Sequence, residues 1–224
     1  FENFTALFEI DMFWTAFKNT IVINLLKLLF GFVTPILMAI MLNAVVNRHL
    51  KNTLQTIVYL PHFVSWVVIS GLIFSLFDTN SGAIYNFFKL LGIELNVFSN
   101  NAQFLALIVL SDIWKEVGWG AIIYLAALTN ISPEYYEAAR IDGANTVQQF
   151  FRITLPMISP AIFFQLVMGV VGALQVFNQA ALMTDGGPQR ATYFYVYFIY
   201  QEAFVNYNMG YASALAWLLF LIVL

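Results

Sequence analysis

The sequence predicts an all-α, polytopic membrane protein. Three observations carry that reading. The chain is 61% hydrophobic and only 9% charged, where soluble chains average roughly 25% charge. Its mean hydropathy is +0.80. The few charges are also segregated: no Asp, Glu, Lys or Arg occurs in residues 28–47, 52–77, 153–184 or 203–224. A bilayer core takes about 20 apolar residues per helix. One such run describes a buried soluble helix; several in one chain describe a membrane bundle.

Five spans are read in order. The first covers residues 16–46, the second 54–77, the third 103–128, the fourth 157–183, and the fifth starts at Met209. Pro35, Pro61 and Pro160 lie within or at the ends of these spans, where neighbouring groups re-satisfy the freed carbonyls. The linkers are 47–53, 78–102, 129–156 and 184–208. No internal repeat and no low-complexity tract interrupts them. The chain has no Cys and two His, which excludes disulfides and thiol chemistry and argues against a transition-metal cluster. The net charge of −3 carries little information on partners, and nothing in the composition points to nucleic acid.

Orientation follows from the basic residues. Linker 47–53 holds Arg48, His49 and Lys51, and linker 129–156 holds Arg140 and Arg152; the opposite linkers hold Lys89 and Arg190. Two spans separate the first pair, so both face the cytoplasm and Phe1 starts outside. A cytoplasmic N-terminus then requires an odd number of further spans, most simply one. Residues 1–12 are mixed in character, unlike a charged-then-apolar leader, and residue 224 is still within an apolar run, so the sequence reads as an interior piece. Phe1, Phe4, Phe8, Phe13 and Trp14, and later Tyr193 to Tyr200, suit interfacial belts.

The linker at 131–156 is the most informative polar stretch. Ser132 suits an N-cap and Pro133 the first helical position. Glu134 and Glu137 favour the positive end of the helix. Gly143 suits the left-handed residue that ends it, and Asn145 or Thr146 a second short start. A helix of about ten residues is too short to stand alone in water, so it needs a partner surface. Ala138 and Ala139 give it a low profile, with Tyr135, Tyr136 and Ile141 as apolar edges.

Glu137-Ala138-Ala139, then Arg140, Asp142 and Gly143, then Ile153, Leu155 and Pro156 in Ile-Thr-Leu-Pro, resemble the EAA loop of the membrane subunits of bacterial binding-protein-dependent ABC importers. Further matches are to the carbohydrate-uptake branch: Asn19-Thr20, Tyr59-Leu60-Pro61, Trp114, Thr184-Asp185-Gly186-Gly187-Pro188 and Gly210-Tyr211-Ala212-Ser213-Ala214. The resemblance covers nearly the whole chain. It implies a single transmembrane domain of six core helices, one preceding Asn19-Thr20, in the bacterial plasma (inner) membrane. It implies that the loop is the coupling element docking on an ABC ATPase dimer. It also implies a second permease subunit, often making a heterodimer, an extracytoplasmic solute-binding protein, and a carbohydrate substrate. No cofactor is expected in this chain. ATP and Mg would be bound by the partner ATPase, since no glycine-rich phosphate loop ending in Lys-Ser or Lys-Thr occurs here.

Polar residues inside the membrane are the pathway candidates. The third span holds Asp112, Trp114, Lys115 and Glu116. Lys115 and Glu116 are about 100° apart on a helix and are not expected to pair directly; Asp112 can meet either. The cluster either faces a water-filled cavity or braces a neighbour. In the fourth span Gln175, Asn178 and Gln179 are expected to share a helical face, with Phe177 beside them. Amides suit hydroxyl-rich ligands, or join helices. Tyr211, Ser213 and Trp217 in the fifth span carry the same two readings. Lys27 is expected to snorkel or to meet a partner carboxylate. Asp185-Gly186-Gly187-Pro188 and Asp78-Thr79-Asn80-Ser81-Gly82 read as turns outside.

Two other functions compete with an importer permease. An ion or solute channel subunit needs no coupling loop. A membrane-embedded enzyme needs a nucleophile with a base, a metal cluster or paired carboxylates. His49 and His62 lie in different contexts with no carboxylate motif, so no catalytic residue is assigned.

Overall fold

The computed structural model describes residues 2–183 and 186–224. Among these, the regular structure is helical and no strand occurs. The chain divides into two compact units. One comprises the residues up to Lys27, Val64–Ser111 and Val170–Leu224; the other comprises Leu28–Phe63 and Asp112–Gly169.

The first span is one apolar stretch of 34 residues, Asp11–Ala44, long enough to cross a bilayer. It is wound as Asp11–Gly31 and Val33–Ala44, and the N–H of Phe32 still reaches the Leu28 carbonyl at 3.2 Å across the joint. Pro35 falls in the first turn of the second piece, where its missing N–H costs nothing. The expected second span is broken. Arg48–Tyr59 runs into a short turn at Leu60–Phe63, and a new helix, Trp66–Phe77, starts after Ser65. The Ser65 hydroxyl accepts the Val68 N–H at 3.4 Å, an N-cap set within an apolar run. The third span, Asn101–Thr129, has 29 residues, or roughly 43 Å at 1.5 Å per residue. The fourth is shorter than expected: Ser159–Leu174 ends before Gln175, and Asn178–Met183 starts afresh. Met209–Val223 is the fifth.

The expected linkers hold more structure than their composition suggested. Linker 47–53 is mostly the first turns of Arg48–Tyr59, capped by Asn47, whose side-chain oxygen accepts the N–H groups of His49 and Leu50. Linker 78–102 contains the helix Ala83–Leu90. It is preceded by a turn in which the Asp78 carboxylate accepts the N–H groups of Asn80 and Ser81 at 2.7 and 2.8 Å. Those bonds, Ser81 first, hold the Asp78 carboxyl below its ordinary pKa. Linker 184–208 contains Tyr195–Tyr200, continued by a π-helical turn at Gln201–Val205. Of the turn expected at Asp185-Gly186-Gly187-Pro188, Gly186 and Gly187 both have positive φ; Thr184 and Asp185 lie outside the described residues.

In the first unit, Leu7, Phe13, Ala16, Tyr195, Phe198, Tyr211, Ala214 and Leu215 form the core. Asn19 and Thr20 tie it together. The Asn19 amide donates to the Arg190 carbonyl at 2.7 Å, and the Thr20 hydroxyl accepts the Tyr195 N–H at 2.8 Å. The Tyr195 hydroxyl in turn donates to the Leu215 carbonyl at 3.1 Å. In the second unit the core is Ala39, Leu42, Ala121, Tyr124, Leu125, Leu128, Ile131 and Ile158. Gly118 lets the third span lie directly against Val58; a Cβ there would strike the Val58 carbonyl.

Candidate functional site: the capped loop and the intramembrane polar clusters

Each turn of the 131–156 segment has a local cause. The Ser132 hydroxyl accepts the Glu134 N–H at 3.4 Å, and Pro133 opens the helix Pro133–Ile141. At the other end the Gly143 N–H reaches the Arg140 carbonyl at 3.0 Å and the Ala144 N–H reaches Ala139 at 2.8 Å. That pair of bonds is a complete Schellman motif. It requires the left-handed residue, which Gly143 supplies with φ +79°. Asn145 then starts the next turn with a reciprocal capping box: its side chain accepts the Gln148 N–H, and the Gln148 side chain accepts the Asn145 N–H, both at 2.9 Å. Phe150–Thr154 winds as a π-helix, and Leu155–Met157 leads to a 63° bend at Ile158. The Tyr136 hydroxyl meets the Thr154 hydroxyl at 2.9 Å, so the short helix is pinned to the π-turn.

The outward side of this loop is mixed. Glu137, Ala138, Arg140, Asp142, Gly143 and Pro156 are exposed; Ala139, Ile153 and Leu155 are half-buried. Tyr135, Val147, Phe151 and above all Ile141, 87% exposed, leave apolar surface uncovered. Glu137 and Arg140 also border a cavity of about 440 Å³, shared with Asn43, Thr129 and Tyr136.

The third-span cluster is arranged differently from expectation. Lys115 is only 6% exposed. Its ammonium donates to the His62 carbonyl and lies 3.6 Å from Glu116. The adjacent residues therefore do approach each other, because the long Lys115 side chain bends back toward the carboxylate. His62 Nδ1 lies 2.8 Å from Glu116 Oε2, and since an ionised carboxylate only accepts, the imidazole donates. The His62 ring stacks on Trp119 at 4.4 Å between centroids and 4° between planes. His62 thus has a carboxylate partner after all, supplied from residue 116 rather than by a local motif. Neither His62 nor Trp119 stood out in the sequence. The available signal was Trp119 three residues beyond Glu116. Trp114 points its ring into the open.

The fourth-span amides do not form one helical face. The helix stops at Leu174, so Gln175 precedes the break and Asn178 starts the next helix; both are exposed. Gln179 is buried and accepts from Lys27 at 2.6 Å. Lys27 therefore meets an amide among its partners. Tyr211, at 2% exposure, is enclosed in the first unit's core, whereas Trp217 is exposed. Among the described residues, no group of three or more His, Cys, Asp or Glu side chains could hold a metal ion.

Comparison with known proteins gives this geometry a setting. The chain is 34% identical over 215 residues to the polygalacturonan/rhamnogalacturonan transport system permease protein YteP of Bacillus subtilis (strain 168), an alignment covering 95% of this chain and 67% of that protein. It is 34% identical over 223 residues to the sn-glycerol-3-phosphate transport system permease protein UgpA of Yersinia enterocolitica, covering 99% of this chain and 75% of that one. Its fold matches a chain of a bacterial ABC transporter involved in the import of the acidic polysaccharide alginate, with a TM-score of 0.92, 35% identity, and coverage of 100% and 79%. It matches equally, with a TM-score of 0.92, 35% identity and coverage of 100% and 78%, a chain of a bacterial alginate ABC transporter in complex with an alginate pentasaccharide-bound periplasmic protein. Residues 31–224 match the family described as binding-protein-dependent transport system inner membrane component, and the chain belongs to that family.

Proposed function

We propose that this chain is the transmembrane permease subunit of an ATP-driven carbohydrate importer in the bacterial plasma membrane, working by alternating access. The observation that carries the reading is the loop: a helix closed at both ends, Ser132 at one and the Schellman turn at Gly143 at the other, with an uncovered apolar edge. A helix of nine residues is marginal alone and gains most from a socket in another protein. That socket belongs to an ABC ATPase dimer, which binds ATP and Mg. Glu137, Ala138, Ala139, Arg140, Asp142 and Gly143 form the docking face, and Ile153, Leu155 and Pro156 transmit its movement to the next span. The carbohydrate class is supported by the polysaccharide transporters among its relatives.

The remaining partners are a second permease subunit and an extracytoplasmic solute-binding protein. Trp114, Glu116, Gln175, Asn178 and Trp217 are the pathway residues whose exposure fits that role; Lys115 and Tyr211 support them from buried positions. The chain itself performs no covalent chemistry. A tagged pull-down from native membrane in mild detergent tests the reading. Recovery of an ATPase and a second permease, lost when Glu137 and Gly143 are altered, supports it. Recovery of the chain alone, under conditions that preserve a known importer, favours a channel.

A further inference from the structure

We propose that this chain holds one anionic phospholipid of the cytoplasmic leaflet, with Arg48 and Lys51 on its phosphate and a ridge of Leu29, Val33, Leu37 and Met41 along an acyl chain. The proposal rests on the permease reading, under which residues 47–53 face the cytoplasm. All six residues belong to the second unit.

The ridge is the apolar half. Its four residues recur at every fourth position of the first span, and all four are exposed. The Phe32 N–H still bonds the Leu28 carbonyl, so the winding continues past the joint. Residues at that spacing form one row on a helix surface. From Leu29 to Met41 the row rises about 18 Å at 1.5 Å per residue. That is close to the depth of one leaflet, half of a hydrocarbon core about 30 Å thick. Just beyond the row, Val46 is 97% exposed, and the surface then turns basic.

The charged half carries one sign. Residues 12–77 contain no Asp or Glu, and neither Arg48 nor Lys51 has an ion-pair partner among the described residues. The two are three apart and share a face of Arg48–Tyr59. His49 lies beside them, and the exposed Leu50 adds apolar surface. The backbone does not serve the anion, because the Asn47 side chain already accepts the N–H groups of His49 and Leu50. The donors are therefore side chains. Charges approaching from the loop helix cancel: Glu137 and Arg140 together border the cavity that reaches Asn43. The other acids of this unit are Asp112 and Glu116, beside Lys115 on the third span, and Glu134 and Asp142, on the loop that also carries Arg152. A basic helix start that follows an apolar row fits a headgroup and its chain at once. A free phosphate needs no row, and a protein partner would have to bring acids to both cations.

The test is native mass spectrometry of the full chain in its assembly, stripped of lipid in detergent. The probes are phosphatidylglycerol, phosphatidylcholine with the same acyl chains, and inorganic phosphate. The wild type should retain phosphatidylglycerol over phosphatidylcholine, and added salt should release it. R48Q and K51Q should each weaken retention about fivefold, and together about thirtyfold, the factors for losing one and two cations near an anionic surface. R48K/K51R keeps both charges and should retain the lipid. Equal retention of the two lipids, retention unchanged in R48Q/K51Q, loss in R48K/K51R, or displacement by inorganic phosphate overturns the proposal. So does lipid binding that appears only after a second permease has left, which assigns the ridge to the subunit interface. The same spectra show whether an ATPase accompanies the chain. Its absence removes the permease reading, while the lipid masses still decide the proposal.

Discussion

Lys27 donates to Gln179 at 2.6 Å, joining residues 152 positions apart within one unit. An ammonium inside an apolar stretch is stabilised here by an amide oxygen, and a buried amide is satisfied in return. Lys27→Met is therefore expected to destabilise the solubilised chain by about 1–3 kcal/mol, because it strips a partner from a buried acceptor. Lys27→Met and Gln179→Leu together should cost less than the sum of the two singles, since they share one bond. Thermal unfolding in detergent reads the effect; a single variant as stable as wild type would sink the idea.

Gly143 tests the loop through conformation rather than space. A Cβ there meets nothing within 4 Å in this chain, so within the chain a substitution acts through its positive φ, and Asn and Val separate that effect from added bulk at the docking face. Gly143→Asn should keep transport coupled to ATP hydrolysis, because Asn tolerates that region. Gly143→Val should lose it, at a backbone cost of roughly 1–2 kcal/mol. The readout is uptake per ATP hydrolysed in proteoliposomes, and equal ratios for Val and wild type would count against the assignment.

Gly118 tests space rather than conformation. An added methyl would strike the carbonyl of Val58, which is backbone and yields poorly. Gly118→Ala should cost about 1–3 kcal/mol by overpacking and lower the yield of folded chain. An unchanged melting midpoint would show that the two helices separate easily.

Asn145→Ala removes one half of the capping box, worth about 1 kcal/mol. The Gln148 amide should then exchange with solvent about fivefold faster, the factor that such an energy produces. Unaltered exchange would mean that the turn is held by its neighbours instead.

The loop was legible because its determinants are local. Ser132, Pro133, Gly143 and Asn145 each act within four residues, and each does what its chemistry suggests. The first and fifth spans were legible from their apolar runs, and the third from its apolar composition despite the charges at Asp112, Lys115 and Glu116. The breaks were harder. Ser65 is a good cap, but it stands in a charge-free run that reads as continuous. Gln175–Phe177 interrupts a stretch, residues 161–183, with no proline and no loop composition. The helix at Tyr195–Tyr200 was concealed by an aromatic sequence that also suits an interfacial belt. His62 and Glu116 were missed as a pair because they lie 54 residues apart, and helical spacing relates only near neighbours.

The π-turn at Phe150–Thr154 has a consequence for length rather than for chemistry. Such a turn holds one residue more than an α-turn, and a single residue advances a helix by about 100°. The segment therefore acts as a phase shifter between the short loop helix and Ser159–Leu174. Deleting one residue inside it would leave every remaining side chain chemically intact. It would also turn the whole following helix by more than a quarter revolution and part Thr154 from Tyr136. Which side of that span looks inward thus depends on a residue count in five residues ahead of it, together with the bend at Ile158.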